Sequence, residues 1–227
     1  MHLENTLNAF LEAMNLGADG IELDVQITLD KEFVVFHDHN LKRLANYDID
    51  INNINYEELK NIKLTNKNYN NKYNISLLSL VLSNMPKNSV INIELKESFL
   101  NENNNIYKNL LDLLNKYSNK FNIIISSFHI DIIKPLIKHK KEFKLAFLID
   151  NKISLKELIK SINILKDIDF INPHINLIGK FLLKNIDKYN INLIIWGHKN
   201  ISKKTYDMRE KNISIISDVC EQFFNNK

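Results

Sequence analysis

The chain has 227 residues, 44% of them hydrophobic, which is enough to bury one sizeable core and fits a single domain. A formal charge of +3, from 30 Lys and Arg against 27 Asp and Glu with no coherent basic run, argues against a nucleic-acid partner. Cys220 is the only cysteine, which excludes a disulfide framework and a thiolate metal cluster; no apolar run reaches bilayer length, so a soluble, cytoplasmic protein is expected.

Taken in order, Leu7, Phe10, Leu11 and Met14 make an apolar stripe at helical spacing, with Asn5 or Thr6 as its cap and Gly17 after it. Residues 21–27 then read as a buried strand, and 33–36 as a short extra one. Residues 46–74 are polar and rich in Asn and Tyr, so about 39–75 is expected to be an excursion inside one domain spanning 1–227. Further strands are expected at 90–95, 123–127, 145–149, 170–172, 193–196 and 213–217. Their near-continuous Ile, Val and Leu favours parallel strands covered on both faces. Helices fit 75–82, 106–117, 130–139, 155–165, 178–188 and 203–211. This alternation predicts an α/β fold of βα repeats, seven strands in all, one short of a (β/α)8 barrel; a doubly wound open sheet is the alternative. Gly is scarce, with 4 residues, and Asn is expected to take turn and cap positions in its place.

Three short stretches carry chemistry. In Gly20-Ile21-Glu22-Leu23-Asp24-Val25, strand geometry turns Glu22 and Asp24 to the same face. Two carboxylates on an otherwise apolar strand need compensation, either from a hard divalent cation or from Lys or Arg at a strand end. Both readings stay open on spacing alone. Val34-Val35-Phe36-His37-Asp38 places a histidine after an apolar run, where an imidazole beside a metal can protonate a leaving alkoxide. A structural or surface histidine is the plainer reading of such a residue in isolation. In Ile93-Glu94-Leu95-Lys96, Glu94 could complete a three-carboxylate site and Lys96 could hold a phosphoryl oxygen. A simple ion pair between the two accounts for them equally well.

Glu4-Asn5-Thr6-Leu7, Gly17 through Val25, and Val34 through Asp38 together resemble the glycerophosphodiester phosphodiesterase family, and their order and spacing match almost without gaps. Glu94-Leu95-Lys96, Ser126-Ser127-Phe128, Asn172-Pro173-His174, Trp196 and Ser217-Asp218 extend the resemblance through the chain. It implies a TIM barrel of the phospholipase-C-like phosphodiesterase type, with active-site groups at the C-terminal strand ends. It also implies one divalent cation, Mg2+ or Ca2+, on Glu22, Asp24 and Glu94, with His37 as one of two catalytic histidines. Lys96 would contact phosphate, Trp196 would wall the glycerol moiety, and Phe128, with Ser127, would line the pocket. The other histidines are expected to be structural or peripheral, with His174, at a strand end, the one closest to a role. The substrate would be a small glycerophosphodiester, such as glycerophosphocholine or glycerophosphoethanolamine, cleaved to sn-glycerol 3-phosphate and an alcohol.

The family pattern opens on a strand ending in His-Arg-Gly. Here the register puts that strand ahead of Met1, and His2 falls in the connecting segment. A barrel missing this first strand has two open edges, and one absent acid/base partner typically costs about 10²- to 10⁴-fold in rate. A hydrolase is therefore the first reading, a catalytically impaired protein that binds phosphodiester or metal the second, and a sphingomyelinase-D-like phosphodiesterase the third. The Glu-Asn-Thr helix, Phe36-His37-Asp38 and the Glu-x-Lys strand favour the first over the third.

Overall fold

The computed structural model describes residues 2–66, 69–139, 142–152, 167–178, 192–198 and 213–218. The chain divides into two compact units, 1–125 and 126–227. Helices expected at 155–165, 178–188 and 203–211 lie outside the described residues, apart from Ile178, as does Cys220.

The first unit opens with helix α1, Leu7–Asn15. Thr6 is its N-cap: the hydroxyl accepts from the Ala9 amide at 3.3 Å and donates to the Leu3 carbonyl at 2.6 Å, a contribution of about 1 kcal/mol. The helix ends at Gly17, whose φ of 96° lies in the left-handed region that glycine enters without a side-chain penalty. Strand β1, Gly20–Ile27, follows, and β2, Phe33–Val35, folds back antiparallel on it, with Val25 opposite Val35 and Ile27 opposite Phe33.

The excursion has its own structure. It contains the short helices α2, Lys42–Ala45, and α3, Tyr56–Leu59, then the hairpin of β3, Leu64–Asn66, and β4, Tyr69–Tyr73. Leu41, Leu44, Ile51, Ile54, Leu59 and Leu64 pack into one apolar cluster with Leu3, Val34 and Phe36. This cluster ties the excursion and the start of the chain to β2.

One expected helix begins later than its apolar spacing suggested. Ser76–Leu77 form β5, pairing antiparallel with Val34 and Val35, and α4 runs only from Leu78 to Asn84. Strand β6, Val90–Leu95, then pairs parallel with β1 in unbroken register, Gly20 with Val90 through Val25 with Leu95. The expected helix near 106–117 is α5, Asn104–Asn115, and buries Ile106, Leu110, Leu111 and Leu114. Strand β7, Asn122–Ser127, crosses the division between the units.

At Gly20 there is no room between the two parallel strands for a side chain. A β-carbon there would lie 2.0 Å from the Val90 carbonyl oxygen, a backbone atom that cannot rotate away. Gly20→Ala is therefore expected to cost at least the ~1–3 kcal/mol of an overpacked core site, read as a lower urea midpoint with an unchanged m-value. A midpoint equal to the wild type's would show that the strands separate freely at this end.

In the second unit, the stretch expected to be one helix is α6, Ile130–Ile133, followed by a 3-10 turn, Lys134–His139. Pro135 explains the change, because it lacks the N–H that a continued helix would need. Strands β8, Lys144–Ile149, β9, Phe170–Pro173, β10, Asn192–His198, and β11, Ser214–Ser217, are all parallel and lie in that order. Ile149, Ile171, Ile178, Leu193 and Ile195 form their core.

Candidate active site

The parallel register of β1 and β6 sets Asp24 beside Glu94 and Glu22 beside Asn92, so these four side chains share one face of the pair. One carboxylate oxygen each from Glu22, Asp24 and Glu94 lies within 4.8 Å of the others. Asp24 and Glu94 are buried and Glu22 is partly so. Lys96, just past the end of β6, reaches back over them, with its ammonium 2.6 Å from Glu94 Oε1 and 3.1 Å from Asp24 Oδ1. Both the expected cluster and the plainer ion pair are therefore present together. Lys96 thus pairs with two of the three carboxylates.

Burial is the main force on Glu94 and, with the neighbouring Asp24 charge, pushes its pKa up to about 7 against the pull of Lys96. For Lys96 burial is again the largest single influence and favours the neutral amine, but the two carboxylates together outweigh it and its pKa is raised. Three carboxylate oxygens converging on one point form an all-oxygen donor set, which suits a hard divalent cation. Asn92 adds to that fit. Its side chain is 4% exposed, and neither its amide nitrogen nor its oxygen has a hydrogen-bond partner. An orphaned buried amide beside Glu22 calls for another polar occupant.

Asp24 is fixed by a residue from the start of the chain. Asn5 donates from Nδ2 to Asp24 Oδ2 at 2.7 Å and accepts at Oδ1 from the Asp24 amide at 3.0 Å. It does so from a left-handed backbone, φ 55°.

His37 follows β2. Its Nδ1 lies 2.7 Å from Asp38 Oδ1, and its side chain remains 54% exposed, open to an incoming ligand. Asp38 is held by Arg43 through Nε at 2.6 Å and Nη2 at 2.9 Å, and Arg43 also pairs with Glu4. The buried Gln26 donates to the carbonyls of His37, at 3.3 Å, and Asp38, at 2.6 Å.

Residues 1–220 match the glycerophosphoryl diester phosphodiesterase family. The chain belongs to that family. It is 34% identical over 64% of its length to a glycerophosphodiester phosphodiesterase of Caldanaerobacter subterraneus, covering 60% of that protein. It is 32% identical over 97% of its length to the uncharacterized protein MG385 of Mycoplasma genitalium, covering 93% of it. The crystal structure of the glycerophosphodiester phosphodiesterase of Thermotoga maritima superimposes with a TM-score of 0.77 at 27% identity, covering 100% of this chain and 93% of that one. The expected α/β fold of the TIM-barrel phosphodiesterases is thereby shown. Against four curated relatives at 29% to 36% identity, the chain spans only 48% to 60% of their length.

The remaining expected site residues of this family member lie in the second unit. Trp196, on β10, donates from Nε1 to the Asn172 carbonyl at 2.9 Å. Two rings meet the Trp196 indole edge-on, Phe128 at 5.5 Å and His174 at 4.7 Å. His174 accepts the Asn176 amide at Nδ1, 3.1 Å away, and Ser127 is buried and accepts the His129 amide. Gly197, φ 86°, is needed here, because a β-carbon would lie 2.4 Å from His174 Nε2.

Four residues around the first-unit site escaped the reading of the sequence as functional groups: Asn5, Asn92, Asp38 and Arg43. Asn5 was visible only as a possible helix cap, and Asn92 only as one of many asparagines. For Asn92 a usable signal existed, namely its position two residues before Glu94 on the same strand face. Arg43 has a near partner in Asp38, five positions before it, but its second partner, Glu4, is 39 positions away.

Proposed function

We propose that this protein is a metal-dependent hydrolase of glycerophosphodiesters, releasing sn-glycerol 3-phosphate and an alcohol. The observation that carries the reading is the convergence of Glu22, Asp24 and Glu94 beside Lys96 in a chain of this family. The likeness to phosphodiesterases of Caldanaerobacter and Thermotoga supports the substrate class.

Glu22, Asp24 and Glu94 would hold one Mg2+ or Ca2+, which when bound supplies the positive charge that polarises a phosphoryl oxygen. Lys96 then has two tasks. Without a cation it offsets the carboxylates, and with one it is available to a phosphoryl oxygen of the diester. In hydrolysis, water adds to phosphorus as the P–O bond to the alcohol breaks; His37 delivers the proton that the leaving alkoxide needs, and the proton shed by the water passes to solvent, from which His37 is recharged.

The test is direct. Purified protein with glycerophosphocholine and Mg2+ or Ca2+ should release sn-glycerol 3-phosphate, detected with a glycerol-3-phosphate oxidase, and chelation should stop the release. Cation binding with no release from any glycerophosphodiester would reduce the protein to a binding module. No cation binding would remove the reading altogether.

The state of Glu94 gives a second expectation. With its pKa near 7, a good part of the metal-free protein carries a proton there at pH 6, and the cation must displace it. Cation affinity should therefore fall as pH drops below about 7, and titration calorimetry in buffers of different ionisation enthalpy should show proton release at pH 6 but little at pH 8. Equal proton counts at both values would mean that Glu94 is not a ligand.

A further inference from the structure

An imidazole offers two nitrogens, and the one left unprotonated in the neutral ring decides where it can exchange a proton. His37 Nδ1 lies 2.7 Å from Asp38 Oδ1. An ionised carboxylate can only accept, so at that distance Nδ1 must carry the proton. Asp38 is kept ionised from its other side. Arg43 grips both of its oxygens, Nε to Oδ2 at 2.6 Å and Nη2 to Oδ1 at 2.9 Å, in the two-pronged geometry that gives strong charge-assisted bonds. Burial alone would raise the Asp38 pKa, but the bonds from Arg43 and His37 outweigh it and leave it lowered. Arg43 is braced in turn by Glu4. The backbone beneath the pair is pinned by Gln26, whose amide donates to the carbonyls of both His37 and Asp38. His37 itself, half exposed, is the outermost member of the chain.

We propose that Asp38, held by Arg43, which Glu4 braces in turn, is the positioning residue of this site: it locks His37 in the Nδ1–H form and leaves Nε2 as the atom that exchanges a proton with the phosphodiester. The link to a phosphodiester rests on the hydrolase reading above. The lock on the ring rests only on the geometry around Asp38. Neither Asp38 nor Arg43 need touch the substrate. Their effect passes through the orientation and tautomer of one ring, as a buried aspartate orients the histidine of other hydrolases.

Nitrogen-15 NMR of the histidine side chains, at alkaline pH where the rings are neutral, reads the tautomer directly. The His37 signals are assigned by their loss in His37→Gln. Wild-type His37 should show a protonated Nδ1 and a bare Nε2. Asp38→Asn can present an amide N–H to Nδ1, so it should move the proton to Nε2. Arg43→Gln should give a mixture, and Asp38→Glu should restore the wild-type pattern. In the same series, kcat for glycerophosphodiester cleavage should fall about 10- to 100-fold in Asp38→Asn, short of the loss of the whole acid/base group, with KM little changed. It should recover in part in Asp38→Glu. A wild-type His37 protonated at Nε2, or a tautomer unmoved by Asp38→Asn, overturns the lock. A moved tautomer with undiminished kcat overturns its role in the reaction. Should Asp38→Asn fail to fold, the wild-type tautomer and Arg43→Gln decide the matter. If the wild type cleaves no glycerophosphodiester while the tautomer still switches, the hydrolase reading fails and the lock stands.

Discussion

Lys96→Met, unfolded by urea at pH 8 in the presence of a chelator, is expected to be about 3–5 kcal/mol less stable than the wild type, the usual cost of stripping one partner from a buried ion pair. The Lys96 side chain is 17% exposed, and those of its partners Asp24 and Glu94 are 5% and 9% exposed, so little water screens what remains. Without it, Asp24 and Glu94 lose the ammonium that bonds to both of them. The protein's escape is to take up a proton, and Glu94, already pushed up to about 7, is the group to do so. A folded-state pKa raised above the unfolded value of about 4.3 means that stability present below that value is lost as pH rises through 7. The penalty of Lys96→Met should therefore be smaller at pH 5.5 than at pH 8. Saturating Mg2+ or Ca2+ should return about 2.7 kcal/mol at a hundred times its dissociation constant. A variant as stable as the wild type in chelator at pH 8, or one that gains nothing from either cation, would show that the three carboxylates do not form a common site.

His37→Asn should do the reverse, damaging the reaction and sparing the fold. Its ring bonds to Asp38 and is half exposed, so stability should stay within about 0.5 kcal/mol of the wild type. Cation affinity should likewise hold, because the carboxylates belong to β1 and β6 and not to the segment that carries His37. The rate of glycerophosphodiester cleavage should drop by about 10²- to 10⁴-fold, the usual share of a general acid or base. Undiminished turnover in this variant would remove His37 from the chemistry and reduce it to a surface residue. Taken with Lys96→Met, the pair separates the two halves of the site, one thermodynamic and one kinetic.

How much of this was legible in the sequence depended on the range of the interactions involved. Strands such as 21–27 and 90–95 were readable because burial on both faces leaves a continuous apolar run. Glu22, Asp24, Glu94 and Lys96 stood out because charge inside such a run needs a cause. Residues 75–77 misled because Ile75, Leu78 and Leu82 keep a helical spacing. What decides their state is the pairing of Ser76 and Leu77 with Val35 and Val34, some 40 positions earlier, and that pairing leaves no local trace. The residues around the site that went unread share this property. Asn5 meets Asp24 across 19 positions and Arg43 meets Glu4 across 39, in each case by the folding of the excursion and the chain's first residues against β2. Asp38 belongs to the Phe36-His37-Asp38 motif, yet its grip on His37 takes meaning only from the arginine behind it.

The left-handed asparagines of this glycine-poor chain are not of one kind. Among the described residues, Asn5, Asn46 and Asn88 have φ of 55°, 58° and 67°. Asn46 sits past the end of α2, and its amide closes the helix on the Lys42 carbonyl. Asn88 serves a turn, donating its amide to the Lys120 carbonyl. Backbone alone does that work, so glycine would do it with less steric cost, and Asn46→Gly should leave stability unchanged or raise it by a few tenths of a kcal/mol. Asn5 adopts the same backbone but spends both ends of its side chain on Asp24. Evolution is thus free to drift at two of these positions and confined at the third. A collection of random functional variants should recover glycine at 46 and 88 and almost nothing but asparagine at 5.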